Sequence, residues 1–292
     1  MKGCIIINAY KQPYASVLQA ERLQKEFLNL GVNVDIVSDG ASKTALINGK
    51  VKSLINDIDF AIFLDKDKYL SNLLEKSGVR LFNSHNSIRV CDDKAETVIE
   101  LSKYNLPLPN TVFDPLSYSE DNQVNSEFVD FVIKELNLPV VVKECYGSMG
   151  KGIYKAETKK ELCSILDKVK NKPFICQEYI SYKKGTDVRI IVVGFKAITS
   201  ILRVNDKDFR SNVGAGGKGV NFVAPQSFIL LAEEISKKLN LDYCGVDLLF
   251  KDDATPVICE VNSNAFFEET ERVTNINVAK IYAEYVVNCC KK

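Results

Sequence analysis

The stretch "VICEVNSN", Val257–Asn264, holds a contradiction that has to be resolved before the rest of the chain makes sense. Its first half is apolar and β-branched, which reads as a buried strand. Yet Glu260 and Asn262 stand two apart, and residues two apart on a strand share a face. Polar groups on a buried face need partners, because burying them unpaired is costly. A partner lies upstream. "YCGVDLLF", Tyr243–Phe250, is a second β-like run, and "KDDATP" between the two has turn chemistry. Folded back around Asp253 and Ala254, the runs place Asp247 opposite Glu260 and Leu249 opposite Ile258. Like charges directly opposite each other destabilise a sheet. A cation between them resolves the conflict. Two carboxylates and an amide oxygen suit Mg²⁺, with its other positions left to water and phosphate oxygens. From the hairpin alone, a solvated edge with a chance acidic pair stays open as the alternative.

Composition narrows the rest. A chain of 292 residues suggests about two domains, or one large domain with subdomains. Its 46% hydrophobic and 26% charged residues are ordinary for a globular protein. A formal net charge of +0 argues against nucleic acid or a membrane surface as partner. The opening "MKGCIIINAY" has too short an apolar run for a signal peptide or a span, and reads as a first buried strand. Nine cysteines are scattered without a CxxC pair. Cys4, Cys145, Cys176, Cys244 and Cys259 sit in or beside β-like runs and read as buried thiols in a reducing compartment. A cytoplasmic homo-oligomer is expected. His85 is the single histidine, which sets aside a zinc site or a Ser-His-Asp triad.

Working along the chain, residues 3–8 read as a strand, Tyr14–Gly31 as an amphipathic helix, and Val32–Asp39 and Asp59–Asp65 as further strands. A short helix near 68–77 leads to "VRLFNS". This β-α-β alternation implies a small, mostly parallel sheet. The loop "NAYKQPY", Asn8–Tyr14, then lies at its carboxyl edge, where ligands bind in such sheets; an ordinary surface loop fits it equally well. "CDDKAETVIELSKYNLPLP", Cys91–Pro109, reads as a helix stopped before its prolines. Lys94 sits in the first turn, where acids are the usual choice; either it reaches for an anion or it is balanced by Asp92, Asp93 and Glu96. A strand at Val140–Lys143 runs into a glycine-rich loop with Gly147, Gly150 and Gly152. It is not a P-loop, since Cys145 and Gly152 break that pattern. Such a loop can still cover phosphates with backbone N–H groups, and Lys143 can neutralise phosphate charge; a flexible hairpin would look similar. "FICQEYI" reads as a strand, 186–204 as a hairpin turning near Gly194, 227–240 as a helix and 275–288 as a last helix.

Taken together, these pieces form a set. The ordered motifs "VVKECYGSMGKGI", "QEYI…GTDVRIIVVG", "R…DFRSNVGAGG", "GVDLLF" and "CEVNSN" resemble the ATP-grasp superfamily, and within it the RimK-like carboxylate–amine ligases. The likeness runs from about Asn83 to the end. It implies an α/β (α+β) ATP-grasp fold with a Rossmann-like N-terminal domain. The domains would be an N-terminal unit at 1–88, a central subdomain at 89–176 and a C-terminal subdomain at 177–292. It implies that Lys94 and Lys143 contact ATP phosphates, with Gly147, Ser148 and Gly150 in the covering loop. Gln177, Glu178, Tyr179 and Ile180 would line the adenine pocket, largely through backbone groups, and Asp187 would meet the ribose. Asp247, Glu260 and Asn262 match the family's Mg²⁺ ligands, with one or two ions and Mn²⁺ as a substitute. Arg203, Arg210 and Asn212 match positions beside the phosphates and the acceptor carboxylate. The implied partners are a small-molecule or peptide carboxylate and an amine such as an amino acid. Two other readings stay open: a non-catalytic ATP-binding regulator, and a small-molecule kinase. The chain departs from the family pattern at Glu144, where many relatives carry proline, and at "SNAFFEE", where they read Ser-Pro-Gly.

Overall fold

The computed structural model describes residues 1–10, 14–55, 57–119 and 123–291. Strands β1 (Gly3–Ile7) and β2 (Val34–Ser38) flank helix α1 (Tyr14–Asn29). A small hairpin, β3 (Ala45–Ile47) and β4 (Lys50–Lys52), precedes β5 (Phe60–Phe63), α2 (Lys68–Lys76) and β6 (Arg80–Phe82). The strands β2-β1-β5-β6 form the parallel sheet that the alternation implies. Parallel strands are covered on both faces, so they read as continuous apolar runs; Ile5, Ile6, Phe60 and Ile62 are fully buried. The Asn8–Tyr14 loop leaves the carboxyl edge of this sheet, though residues 11–13 of it lie outside the described residues.

The single helix expected from Cys91 is instead two helices, α3 (His85–Asp92) and α4 (Lys94–Ser102). Asp93 between them is extended, and its Oδ1 accepts the N–H groups of Ala95 at 2.8 Å and Glu96 at 3.3 Å. A capping aspartate satisfies otherwise orphaned donors, so a new helix starts in mid-run. Lys94 becomes the first residue of α4.

Next come β7 (Thr111–Phe113), α5 (Ser126–Leu136), β8 (Val140–Glu144), β9 (Ile153–Ala156), α6 (Lys159–Val169) and β10 (Phe174–Glu178). They build an antiparallel sheet in the order β7-β10-β8-β9. Helices α5 and α6 cover one face, where Val129, Val132, Leu162 and Leu166 pack on Val140, Val142 and Cys176. Alternation then turns Val141 and Lys143 to the opposite face.

The last part holds β11 (Thr186–Val193), β12 (Lys196–Val204), β13 (Lys218–Asn221), α7 (Gln226–Lys238), β14 (Tyr243–Phe250), β15 (Pro256–Asn262), α8 (Glu268–Thr274) and α9 (Val278–Cys290). Its sheet order is β13-β12-β11-β14-β15. Phe228 and Ile235 of α7 pack on Ile190 and Val246. Helix α9, at the far end of the chain, packs instead with α1 and the first sheet, bringing Ala279, Ala283 and Val286 to Leu23, Phe27 and Ile5. Asp247 faces Glu260 as expected, but Leu249 faces Val257 and Leu248 faces Ile258. The expected Leu249–Ile258 register is off by one because a β-bulge leaves Cys259 unpaired. Cys4, Cys145, Cys176 and Cys244 are buried as expected, whereas Cys259 is only partly so. Among the described residues no helix is long and apolar enough to cross a membrane.

Candidate active site

The two antiparallel sheets face each other across a cleft whose empty space, open solvent included, is about 800 Å³. One end is apolar, formed by Val141, Ile153, Tyr179, Phe209, Leu249 and Ile258. Gln177 lies here, 3% exposed. Its Nε2 donates to Thr111 Oγ1 at 2.9 Å, while its Oε1 is buried with no partner in the protein. The Tyr179 hydroxyl is buried and unpartnered too. Buried polar atoms are nearly always paired, so these two atoms leave partner positions for a water or a ligand group to complete. Glu178 spends its side chain on Asn110, accepting the backbone N–H at 2.8 Å and Nδ2 at 3.3 Å. Its backbone N–H is engaged too, donating to Asn110 O at 3.1 Å, so what it has left for a ligand is its carbonyl.

The other end is cationic. Lys143 is 9% exposed, yet among the described residues its ammonium makes a single 3.5 Å contact, to the Cys259 carbonyl. The Lys94 side chain is 12% exposed and lies 3.3 Å from the Gly147 carbonyl and 3.8 Å from Glu260 Oε1. Burial pushes the Lys94 ammonium below the usual lysine range, and Glu260 offsets this only in part. The glycine loop arches beside both lysines. Gly147, Gly150 and Gly152 all have positive φ, at 151°, 76° and 71°. At Gly152 a Cβ would also meet the Glu144 side chain at 2.9 Å. Glu144 anchors the loop base. It donates its N–H to Gly152 O at 2.8 Å, accepts from Tyr154 at 3.1 Å and pairs with Lys172 at 2.7 Å. That is what stands here in place of proline.

Charges of alternating sign run across the last sheet, because the register sets Arg203 opposite Asp187, Arg189 opposite Asp247 and Asp247 opposite Glu260. Asp247 is 1% exposed. It accepts from Arg189 Nε at 2.7 Å and Nη2 at 2.8 Å, and Arg203 Nη2 lies 2.8 Å away. Burial works against its ionisation, but the two guanidiniums outweigh that and hold its carboxyl below the usual range. Arg203 also forks onto Asp187, with Nε at 2.7 Å from Oδ1. At 2% exposed, Arg203 is buried against Asp187 and Asp247, on the same sheet face as Asp187, which lines the cleft. In the sequence Arg189 counts with Arg203 and Arg210 among the cations that suit a polyphosphate; here its guanidinium is engaged by Asp247. Asp187 and Arg189 are two apart on one strand and so share a face.

The donors suit a hard cation. Among the described residues no three His, Cys, Asp or Glu side chains group around a metal position. The set is instead two carboxylates and the Asn262 amide. Glu260 meets only the long Lys94 contact, and Asp247 Oδ1 takes one hydrogen bond of the two an oxygen can accept. Oxygen lone pairs therefore remain for Mg²⁺. Arg210 and Asn212 line the same cleft, beside the glycine loop: Arg210 Nη1 donates to the Gly150 carbonyl at 2.9 Å. Phe209 between the two loops packs edge-on to Tyr179, with ring centroids 6.3 Å apart.

Known proteins are similar to this chain in sequence and fold. Residues 74–286 match the RimK-like ATP-grasp domain. The chain is 35% identical over 226 residues to N-acetylaspartylglutamate synthase A of Homo sapiens, covering 77% of this chain and 56% of that one. It is 33% identical over 226 residues to beta-citrylglutamate synthase B of Homo sapiens, covering 77% and 57%. The chain thus spans little more than half the length of these relatives. Its fold is also similar to D-alanine--D-alanine ligase from Bacillus anthracis complexed with ATP, with a TM-score of 0.74 at 18% identity, covering 100% of this chain and 99% of that chain. With more than half its length matched and the cleft, lysines and acidic hairpin in place, the chain belongs to the RimK-like ATP-grasp family.

Proposed function

We propose that the protein is an ATP- and Mg²⁺-dependent ligase that joins a carboxylate to an amine through an acylphosphate, releasing ADP and phosphate. The observation that carries this reading is the pair Lys94 and Lys143. Two ammonium groups are withdrawn from water without a short counter-ion, and buried charge of one sign is unfavourable. A polyphosphate supplies the missing anions. In this reading the adenine takes the apolar end, its exocyclic amine donating to Gln177 Oε1, with the backbone of Glu178, Tyr179 and Ile180 at its edge. Asp187 meets the ribose. Gly147, Ser148 and Gly150 offer backbone N–H groups to the phosphates.

Asp247, Glu260 and Asn262 would hold Mg²⁺, which offsets charge on the transferring phosphoryl group. Arg203 and Arg189 keep Asp247 ionised and in place; neither needs to touch substrate. Arg210 and Asn212 orient the carboxylate beside the γ-phosphate, since a guanidinium fork matches two carboxylate oxygens. A carboxylate oxygen attacks the γ-phosphorus, and the bond to ADP breaks. The amine nitrogen then attacks the acyl carbon, phosphate leaves, and the nitrogen loses a proton. No covalent enzyme nucleophile is required, so one histidine suffices for the whole chain.

The names of the two human relatives share a glutamate moiety, which makes glutamate the first amine to test. Mg-ATP, glutamate and a panel of small carboxylates and peptides are incubated with the protein, and condensation products are sought by mass spectrometry. ADP release that requires both carboxylate and amine supports the reading. ADP release with a phosphorylated acceptor and no amide would instead indicate a kinase, and nucleotide binding without any turnover a regulator.

A further inference from the structure

Arg210 is held by more than its place in the loop. Its Nε donates to Asp208 Oδ1 at 3.1 Å and its Nη2 to Asp208 Oδ2 at 2.7 Å. The backbone N–H of Arg210 also donates to Asp208 Oδ1, at 2.9 Å. Its Nη1 reaches across the cleft to Gly150 O at 2.9 Å. A guanidinium has five N–H donors, and three are engaged by these contacts, two by Asp208 and one by Gly150. The two left over, one on each terminal nitrogen, remain for an oxyanion such as a carboxylate or phosphoryl group.

The backbone around this clamp is tied to its neighbours. Asn205 Nδ2 donates to Arg210 O at 2.8 Å and Ala215 O at 3.0 Å. Gly185 closes on the Asp208 carbonyl so tightly that a Cβ there would stand 2.7 Å from it. Hydrogen bonding to Arg210 lowers the Asp208 carboxyl below its usual range, so the clamp is a charge-assisted pair at neutral pH.

We propose that Asp208 is a positioning residue with two linked effects: it turns the two free N–H donors of Arg210 toward the reacting oxyanion, and it sets Arg210 to latch the glycine loop through Gly150. The first effect rests on the ligase reading; the second does not. The bland alternative is a turn in which Asp208 merely caps the Arg210 backbone. Asp208→Asn separates the two, because asparagine keeps an oxygen for the backbone N–H but cannot accept from both Nε and Nη2. Hydrogen exchange over 147–152 is measured in the nucleotide-free protein. The latch predicts exchange roughly tenfold faster there in Asp208→Asn and in Arg210→Gln, with the peptide over 3–7 unchanged, as fits loss of one charge-assisted bond. Asp208→Glu should restore part of the protection. Steady-state kinetics on the same variants should show kcat falling at least tenfold while the KM for ATP stays within about threefold. Wild-type exchange over 147–152 in Asp208→Asn would overturn the latch, and unchanged kcat would overturn the orienting effect. If the wild-type protein turns over no substrate, the ligase reading fails while the exchange measurement still decides the latch.

Discussion

Asp247→Asn and Glu260→Gln each remove one negative charge from the acidic hairpin, but the structure predicts that they fail differently. Asp247 is 1% exposed and serves as the counter-ion of both Arg189 and Arg203. Asparagine would turn an N–H group toward at least one guanidinium and leave a buried excess of positive charge. Removing one partner from a buried ion pair costs about 3–5 kcal/mol. At 1.4 kcal/mol per decade that is roughly two to four decades in the unfolding equilibrium. It is a large share of a typical total of about 5–15 kcal/mol. The Glu260 side chain is 22% exposed and has one contact at 3.8 Å, so Glu260→Gln should cost no more than about 1 kcal/mol. Both variants should lose turnover. Urea unfolding followed by far-UV circular dichroism suits a chain with no tryptophan. The acid limb supplies a second check. The Asp247 carboxyl is held below its unfolded value, so its stabilisation is present above the unfolded range and is lost as pH falls through the folded one. Asp247→Asn should therefore flatten the loss of stability in acid. An Asp247→Asn midpoint equal to wild type, or a Glu260→Gln midpoint equally low, would refute the charge-row argument.

Other expectations follow from the same geometry. Lys143→Ala should weaken ATP binding by at least tenfold in calorimetry without lowering the urea midpoint, since among the described residues its ammonium has a single long contact. Lys94 is a charge that the fold holds at a cost, because its folded pKa lies below the unfolded one and charging it loses stability as pH falls below the ordinary lysine range. Lys94→Met should thus keep or raise the midpoint at pH 7, yet remove stabilisation by Mg-ATP in thermal melts. Gly152→Ala places a side chain at φ 71° against Glu144, which costs about 1–2 kcal/mol from the backbone alone and should lower the melting temperature. Chelation should abolish ligation, with Mg²⁺ or Mn²⁺ restoring it, while the chelated protein keeps its circular dichroism spectrum.

Much of the site is legible in the sequence, for local reasons. Period-two alternation puts Glu260 and Asn262 on one face, and the turn chemistry of 251–255 brings Asp247 opposite Glu260. Glycines mark the loop because only they take its positive φ values cheaply. Other features are not carried by periodicity, either because they are local breaks in it or because they depend on contacts between residues far apart in the chain. The bulge at Cys259 shifts the hairpin by one residue beyond the acidic pair. Asp93 splits a helix that its apolar pattern would continue. Arg203 reads as a group facing phosphate, yet the β11–β12 register buries it between Asp187 and Asp247. Helix α9, last in the chain, completes the core of the first sheet beside α1. Amphipathicity determines that a helix has a face to bury, but which surface receives that face is decided only when the chain has folded.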